Sequence, residues 1–402
     1  MIPFSPPRID QKIIDEVTAA LKSGWITTGP RTKSFEKKIT AYCGGKSTLC
    51  LNSATAGLEI MLRWFGVGEG DEVILPAYTY SATANVVIHC GAKPVFVDVN
   101  AADFNISVKE IETHINAKTK VIMPVDFGGM PCDYDEINAL AIAKKSLFVA
   151  KSENQKKLGR IMVLSDSAHS FGAEYKGKKT GSLTDVSVFS FHAVKNLSTA
   201  EGGAVVLNLP APFDNEEEYK VLCIKTLHGQ NKDALAKTRK GNWKYDIVEA
   251  GYKCNMTDIT AAIGLIEIER YDNDTLVKRE HICDYYAKTL GNNPAFQLPL
   301  LVSSEKKSCY HLFPVRINNC KEAQRDVIIQ KIFDKDVSVN VHFLPVPGMS
   351  FYKGLGYDMK NYPTALDNYS REITLPVYYD LTDEQLKTVC DAVIKSVKEV
   401  LG

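Results

Sequence analysis

Short apolar runs alternate with amphipathic stretches over residues 45–210, and this alternation predicts an α/β domain. Most of the runs are rich in β-branched residues and lack strict alternation, which is typical of strands covered on both faces. Between the first two runs, Leu58, Met61 and Phe65 recur at helical spacing. We therefore expect a mainly parallel sheet packed between helices. The seven candidate strands are residues 47–51, 73–76, 94–99, 120–125, 161–166, 186–191 and 204–207.

The rest of the chain predicts a smaller region that contains both helices and strands. Residues 258–291 have a long helical pattern, and strand-like stretches follow at 309–315 and 337–343. An apolar stripe over residues 383–401 predicts a final helix. The polar stretch 151–160 is interpreted as an exposed loop.

Composition and charge exclude several classes of protein. The 48 Lys and Arg residues balance 48 Asp and Glu residues, which argues against binding to nucleic acid or to an anionic membrane through bulk charge. No run of about 18 apolar residues predicts a membrane span, and the first residues do not resemble a signal peptide. The ten cysteines form no C-x-x-C pair, which favours a cytoplasmic enzyme with reduced thiols and no metal site.

Lys195 is the first candidate for a catalytic residue. It follows a strongly apolar strand and precedes a short polar turn that ends in Glu-Gly-Gly. A lysine that is partly desolvated at the end of a strand has a lowered pKa, and its amine can attack a carbonyl carbon. An ordinary surface lysine is the alternative that this segment leaves open.

Asp166 ends another apolar strand, and His169 follows three residues later. An aspartate at the carboxyl end of a parallel strand points into the crevice where such sheets bind ligands. A pyridoxal 5′-phosphate enzyme needs such a carboxylate to keep the ring nitrogen of its cofactor protonated. The alternative is an aspartate that caps the next helix.

Two further strand ends carry residues suited to a phosphate and to a ring. Small residues at 53–57 lie where a strand runs into a helix, and the first-turn amides of such a helix favour a phosphate. Ser53 alone is equally consistent with an N-cap. Tyr80 follows a strand and is suited to stack on a pyridine ring, although core packing is the alternative. All four segments lie at strand ends of one predicted sheet, and coincidence is a poor explanation for this arrangement.

The chain resembles the DegT/StrS family of pyridoxal-phosphate sugar aminotransferases, which have the aspartate-aminotransferase fold of type I. The most specific block is Ser-Phe-His-x-x-Lys-Asn at 190–196, and the resemblance covers essentially all of the chain. It implies an N-terminal arm and a large domain over residues 1–265, with a mainly parallel seven-stranded sheet. A linker helix and a smaller C-terminal α+β domain would occupy residues 266–402. Further matching blocks lie at 24–30, 70–76, 91–99, 251–264 and 373–378.

The resemblance implies roles around the cofactor ring. Lys195 would form the Schiff base with pyridoxal 5′-phosphate, and Asp166 would pair with the pyridine nitrogen. Tyr80 would cover one face of the ring, and His169 would lie beside the ring hydroxyl. Lys195 and Asp166 would be the catalytic residues.

The resemblance also implies how the phosphate is held. Thr55 and Ala56 would bind it through backbone and hydroxyl groups, and Ser190 would join them. Asn255 would reach the phosphate from the other subunit of a homodimer with shared active sites. Two positions depart from the family: Ser165 stands where many relatives carry an acid beside the aspartate, and Pro347 stands where a histidine is common.

The implied reaction moves an amino group from an amino acid, usually glutamate, to a keto carbon of a nucleotide-linked sugar. The expected sugar is a 4-keto-6-deoxy sugar, with a UDP-linked 2-acetamido type favoured, for surface polysaccharide biosynthesis. Two alternatives stay open. A dehydrating variant of the family typically replaces the lysine with histidine, and a regulatory member would bind the cofactor without catalysis.

A basic stretch offers candidate substrate contacts. Residues 228–246 carry five Lys or Arg against two Asp, a net charge of +3. Such a stretch would attract a nucleotide diphosphate, and a tryptophan within it could stack on the base. The alternative is a solvated surface loop. The candidate substrate residues are Arg239, Lys240 and Trp243.

Overall fold

A computed structural model describes residues 1–231 and 244–402 of the chain. Its strands and helices follow each other in the alternating order that the apolar pattern predicts. The strands are β1 (Ser47–Leu51), β2 (Glu72–Pro76), β3 (Lys93–Val97), β4 (Thr119–Ile122), β5 (Met162–Asp166), β6 (Glu174–Tyr175), β7 (Lys178–Lys179), β8 (Val186–Ser190), β9 (Gly203–Leu207), β10 (Phe296–Gln297), β11 (Lys306–Lys307), β12 (Phe313–Ile317) and β13 (Glu372–Leu375).

The described helices cover both faces of the main sheet and build the C-terminal region. They are α1 (Gln11–Lys22), α2 (Pro30–Cys43), α3 (Ala54–Phe65), α4 (Ser81–His89), α5 (Val108–His114), α6 (Tyr134–Ala143), α7 (Glu153–Leu158), α8 (Asn215–Lys225), α9 (Asp258–Arg270), α10 (Leu276–Leu290), α11 (Glu322–Phe333), α12 (Ser350–Gly354), α13 (Pro363–Arg371) and α14 (Asp383–Leu401).

The main sheet has seven strands in the order β1-β9-β8-β5-β4-β2-β3. Neighbours from β8 to β3 are parallel, whereas β9 is antiparallel to both β1 and β8. Each candidate strand of this region coincides with a strand of the sheet, and β1, β2 and β5 are buried along their whole length. The predicted seven-stranded, mainly parallel sheet is confirmed.

Helix α3 shows how local sequence sets the element that follows β1. It begins after Ser53, whose hydroxyl accepts a hydrogen bond from the Ala56 amide at 3.1 Å. It ends at Gly66, which adopts a left-handed conformation that glycine accommodates without strain. Leu58 and Phe65 are buried on the face that packs against the sheet. The N-terminus of α3 therefore lies at the carboxyl end of β1.

A second apolar cluster lies in the C-terminal region, around a three-stranded sheet of order β10-β12-β13. Helices α10, α11 and α14 contribute buried residues to this cluster. Ile2, near the start of the chain, also belongs to it, and its backbone forms an isolated bridge with Val337. The first residues of the chain are therefore tied to the C-terminal region.

Several elements differ from the sequence expectations. The helical pattern at 258–291 is interrupted by a π-helical turn at Tyr271–Thr275. The stretch 151–160 is not only a loop, because it contains α7, which is capped by Ser152 and buries Gln155. The run 337–343 forms only isolated bridges, and the strand expected at 309–315 begins at 313.

Among the described residues, no helix combines the length and apolar character that crossing a bilayer requires. The ten cysteines are free thiols, and nine of them are buried.

Candidate functional site

A cavity of about 450 Å³ lies at the carboxyl ends of β1, β2, β5 and β8. Residues from the start of the chain and from the C-terminal region close its outer side, including Phe4, His342 and Val377. Most of the site residues expected from sequence are brought together here. Those lining the cavity are Thr55, Tyr80, Asp166, His169, Ser190 and Lys195.

Asp166 is the last residue of β5, and its carboxylate is almost entirely buried. The Thr83 hydroxyl donates to it at 2.8 Å, and the Ala168 amide donates at 3.2 Å. Burial raises the pKa of this carboxyl, while the bond from Thr83 opposes that rise. The chain after Asp166 continues in turns and not in a helix, so the helix-cap alternative is wrong.

Lys195 lies on the turn that follows β8 and lines the same cavity. Its amide donates to the His192 carbonyl at 2.8 Å, which fixes the turn. Burial lowers the pKa of the Lys195 ammonium to about 8, and the negative charge of Asp166 opposes this decrease. A lysine with this pKa has a much larger neutral fraction near neutral pH than an ordinary surface lysine.

The N-terminus of α3 forms one end of the cavity, where Ala54 and Thr55 are lining residues. Gly203 faces this turn, and a Cβ atom at that position would lie 2.4 Å from the Ala54 nitrogen. The close approach of the backbone therefore depends on glycine. The helix dipole, the Thr55 hydroxyl and the Ser190 hydroxyl together provide a donor set suited to a phosphate.

These features fit pyridoxal 5′-phosphate. A phosphate would bind at the N-terminus of α3, a ring nitrogen would meet the buried carboxylate of Asp166, and a carbonyl would lie within reach of the Lys195 amine. Ala56 does not line the cavity, and its amide donates to the Ser53 hydroxyl. Asn255 also lies outside the lining and donates to the Thr28 hydroxyl at 2.6 Å.

His169 and His311 form a buried imidazole pair in the cavity wall, with ring centroids 4.4 Å apart. His169 Nδ1 accepts from the Gly128 amide at 3.3 Å, and His311 Nδ1 lies 2.8 Å from Asn196 Oδ1. Burial lowers the pKa of both rings well below the usual range, and the nearby Lys195 charge adds to the effect. Both rings are therefore neutral at physiological pH.

Tyr80 stands at the mouth of the cavity, directly before α4, and 61% of it is exposed. Its ring lies 5.7 Å from that of Phe343, at a tilt of 51°. Because most of Tyr80 is exposed, the core-packing alternative is wrong. An exposed ring at this mouth is available to a planar ligand.

Some residues of the site were not predicted from the sequence. Thr83 lies in the first turn of α4. The sequence signal that could have pointed to it is the spacing of Thr79 and Thr83 at i and i+4, because their hydroxyls share a 2.8 Å hydrogen bond. His342 stacks on Phe4 with ring centroids 5.7 Å apart. These two residues come from opposite ends of the chain, and no local pattern connects them.

The candidate substrate residues Arg239, Lys240 and Trp243 lie outside the described residues. After this segment, exposed apolar side chains follow at Tyr245, Ile247 and Val248.

Replacing Thr83 with valine tests its role as the hydrogen-bond partner of Asp166. Hydrogen bonds to charged groups contribute about 1.5–3 kcal/mol. We therefore expect Thr83→Val to weaken cofactor retention by roughly 10- to 150-fold, measured by equilibrium dialysis. Thr48→Val is the matched control, because this buried hydroxyl bonds to Thr40 at 2.7 Å on β1, outside the cavity. Equal retention in both variants would contradict the role of Thr83.

Comparisons with known proteins agree with this geometry. A model of the DegT/DnrJ/EryC1/StrS aminotransferase family matches residues 7–394. The structure is similar to Spr1654 of Streptococcus pneumoniae, a sugar aminotransferase candidate described in PMP and PLP forms. The PMP form is 44% identical, with a TM-score of 0.96 and complete coverage of both chains.

Two further relatives are named for sugar pathways. SpsC of Bacillus subtilis, a spore coat polysaccharide biosynthesis protein, is 36% identical over 99% of this chain and 97% of its own. PseC of Helicobacter pylori, an aminotransferase involved in pseudoaminic acid biosynthesis, is 28% identical, with a TM-score of 0.87 and coverage of 99% of each chain.

Proposed function

This chain belongs to the DegT/DnrJ/EryC1/StrS aminotransferase family and is a sugar aminotransferase that depends on pyridoxal 5′-phosphate, and we propose that it transfers an amino group from glutamate to a keto carbon of a nucleotide-linked sugar. The observation that carries the proposal is one cavity that holds Lys195, Asp166 and the N-terminus of α3. Because Lys195 is present, the dehydrating alternative, in which histidine typically replaces this lysine, is disfavoured.

Lys195 and Asp166 divide the chemistry between them. When bound, the cofactor supplies an electron sink for the carbon that loses its proton. The Lys195 Nζ atom takes the α proton of the donor and later returns a proton to the acceptor. Because the pKa of Lys195 is about 8, its Nζ atom can act as the base in the first step and as the acid in the second. The Asp166 carboxylate holds the proton on the ring nitrogen.

The remaining lining residues orient the cofactor. We assign phosphate binding to the N-terminus of α3 together with Thr55 and Ser190, in line with the donor set of that turn. Tyr80 would cover one ring face, and the neutral His169 would lie beside the ring hydroxyl. Ala56, whose amide donates to the Ser53 hydroxyl, would contribute only through the dipole of this first helical turn.

Absorbance spectroscopy tests the reaction class and the donor. Purified protein with its cofactor should show a band near the visible edge, and adding glutamate should convert it to a shorter wavelength. A panel of nucleotide-linked keto sugars should then restore the original band. A protein that binds the cofactor but never responds to an amino acid would favour the regulatory alternative.

For the acceptor, we propose a nucleotide-linked 4-keto-6-deoxy sugar, with a UDP-linked 2-acetamido form preferred, in surface polysaccharide biosynthesis. Support comes from the names of SpsC and PseC, which refer to polysaccharide and pseudoaminic acid biosynthesis. We also propose a cytoplasmic location, which the ten free thiols support. The division into domains 1–265 and 266–402 is likewise a proposal, and position 265 falls within α9.

The net positive charge of residues 228–246 leads to a prediction about the sugar substrate. Replacing Arg239 and Lys240 with glutamate should raise the KM for the nucleotide sugar and leave the glutamate half-reaction unchanged. The effect should grow as salt is lowered, since charges act over a Debye length of roughly 8–10 Å. Replacing both residues with glutamine is the control for size. Equal loss in both half-reactions, or no change, would contradict the assignment.

We further propose a homodimer in which Asn255 completes the phosphate site of the partner subunit. Two observations support it: Asn255 lies outside the lining of its own cavity, and exposed apolar side chains precede it at Tyr245, Ile247 and Val248. A symmetric dimer buries the same surface patch of each subunit, and exposed apolar patches commonly form such interfaces.

Complementation between two inactive variants tests the shared site. Lys195→Ala and Asn255→Ala should each be inactive or weak alone. Co-expressed in equal amounts, half of the dimers are mixed, and one site of each mixed dimer has both native residues, so activity should recover to about a quarter of the native value. A monomer by light scattering, or no recovery in mixed dimers, would contradict the shared site.

A further inference from the structure

Asp126 is a buried carboxylate that none of the steps above uses. It lies beyond the carboxyl end of β4, next to the strand that ends in Asp166, and is completely shielded from solvent. Burial raises the pKa of its carboxyl, and hydrogen bonds from its neighbours oppose that rise. A carboxyl group removed from water at this depth is costly unless its oxygens are satisfied.

The two oxygens of Asp126 serve two different segments. Oδ1 accepts from the Cys132 amide at 2.9 Å and from the Tyr134 hydroxyl at 2.6 Å. Oδ2 accepts from the Ser170 hydroxyl at 2.6 Å and from the Ser167 hydroxyl at 3.3 Å. One side chain therefore joins the start of α6 to the turn that follows β5.

That turn carries two of the cavity residues. Ser167 directly follows Asp166, and Ser170 directly follows His169, so Asp126 holds the turn immediately beside both. The backbone adds a further link, because the Asp126 amide donates to the Asp166 carbonyl at 3.2 Å. A shift of this turn would move the Asp166 carboxylate and the His169 ring together.

The same network includes Ser165 on β5. Its hydroxyl lies 2.5 Å from that of Tyr134 and 2.9 Å from that of Ser167. Both of these hydroxyls also bond to Asp126. The carboxylate that anchors this hydroxyl network thus stands beyond the neighbouring strand, and Ser165 connects to it.

We propose that Asp126 is a positioning residue. It fixes the turn 167–170 so that the side chains of Asp166 and His169 are correctly oriented toward the cofactor ring. The inference rests on the proposed function, in which these two residues contact the ring. Misplacement of a reacting group by about 1 Å can cost on the order of 100-fold in rate. The turn is neither strand nor helix, and its backbone is held by few bonds, among them the Ser167 amide to the Val188 carbonyl at 2.9 Å, so the side-chain bonds from Asp126 add to its anchoring.

The test compares three variants of the holoenzyme. Asp126→Asn preserves size but replaces one acceptor oxygen with a donor, and Ser170→Ala removes the shortest bond to the turn while keeping the Asp126 charge. Asp185→Asn is the matched control. This buried aspartate precedes β8 at the opposite edge of the sheet, where it bonds to Arg160 at 2.7 Å and to the Val163 amide at 2.9 Å.

The readouts are the rate constant and KM of the glutamate half-reaction, together with the visible circular dichroism of the bound cofactor. For Asp126→Asn we expect a roughly 10- to 100-fold lower rate constant, a nearly unchanged KM and an altered dichroism. Ser170→Ala should show the same changes to a smaller extent. Asp185→Asn should lower the thermal midpoint while keeping the rate constant and the dichroism.

The inference is overturned if Asp126→Asn keeps the native rate constant and dichroism, or if Asp185→Asn changes them equally. If Asp126→Asn does not fold, Ser170→Ala decides alone, and native behaviour of that variant overturns the inference. If the native protein gives no spectral response to glutamate, the donor assignment fails. The dichroism of the cofactor-bound variants, recorded without any amino acid, still decides the role of Asp126.

Discussion

Lys195→Ala should abolish transamination and remove the near-visible absorbance of the lysine-bound cofactor while the fold is kept. One side chain is both the nucleophile for the cofactor and the group that moves the proton. Loss of proton transfer alone accounts for about 10²–10⁴-fold in rate, so turnover should fall at least this far. The measurements are absorbance after cofactor addition and the single-turnover rate with glutamate.

Lys120→Ala is the matched control for this variant. Lys120 is a buried lysine on β4 that donates to the carbonyls of Ala117 and Val149, and it does not line the cavity. Its loss should lower the thermal midpoint and leave the absorbance band and the rate intact. A near-native rate in Lys195→Ala would overturn the assignment of the reaction to this cavity.

Asp166→Asn should retain the cofactor less well and reduce turnover by orders of magnitude, because a neutral amide does not stabilise a protonated ring nitrogen. Removing one partner of a buried charge pair costs about 3–5 kcal/mol, which corresponds to roughly 10²–10⁴-fold. The rate of the glutamate half-reaction, followed by absorbance, measures the effect.

Asp98→Asn separates this effect from a general cost of removing a buried carboxylate. Asp98 follows β3 at the same edge of the sheet and accepts from the Thr364 and Ala365 amides at 2.9 Å, outside the cavity lining. We expect it to affect stability and not the half-reaction. An unchanged half-reaction in Asp166→Asn would remove Asp166 from the site.

The main sheet could be predicted because its strands are buried on both faces and therefore read as unbroken apolar runs. The interruption at Tyr271–Thr275 could not, since Tyr271 and Thr275 are both buried and keep the i, i+4 spacing of a continuous helix. The alternating run 337–343 suggested a strand. It pairs only at isolated positions, Val337 with Ile2 and Asn340 with Thr374 of β13, and so it forms no continuous ladder with β13.

The site could be predicted only where its residues directly follow strands. Lys195 and Asp166 lie on or just after strands of one sheet, and parallel strand ends meet at one edge. Thr83, His311 and His342 were not predicted, because a helix and distant segments bring them to the cavity through tertiary packing. Asp126 was also missed, since a lone aspartate beyond a strand gives no local sign that four donors converge on it.

The pairing of Ile2 with Val337 and of Phe4 with His342 has a consequence for how the protein is made. The first residues leave the ribosome long before their partners exist, so the large sheet can assemble while the outer wall of the cavity is still missing. Chains stalled or truncated before residue 337 would then expose an open cofactor site. Tight cofactor loading would therefore report that synthesis of the chain has passed His342.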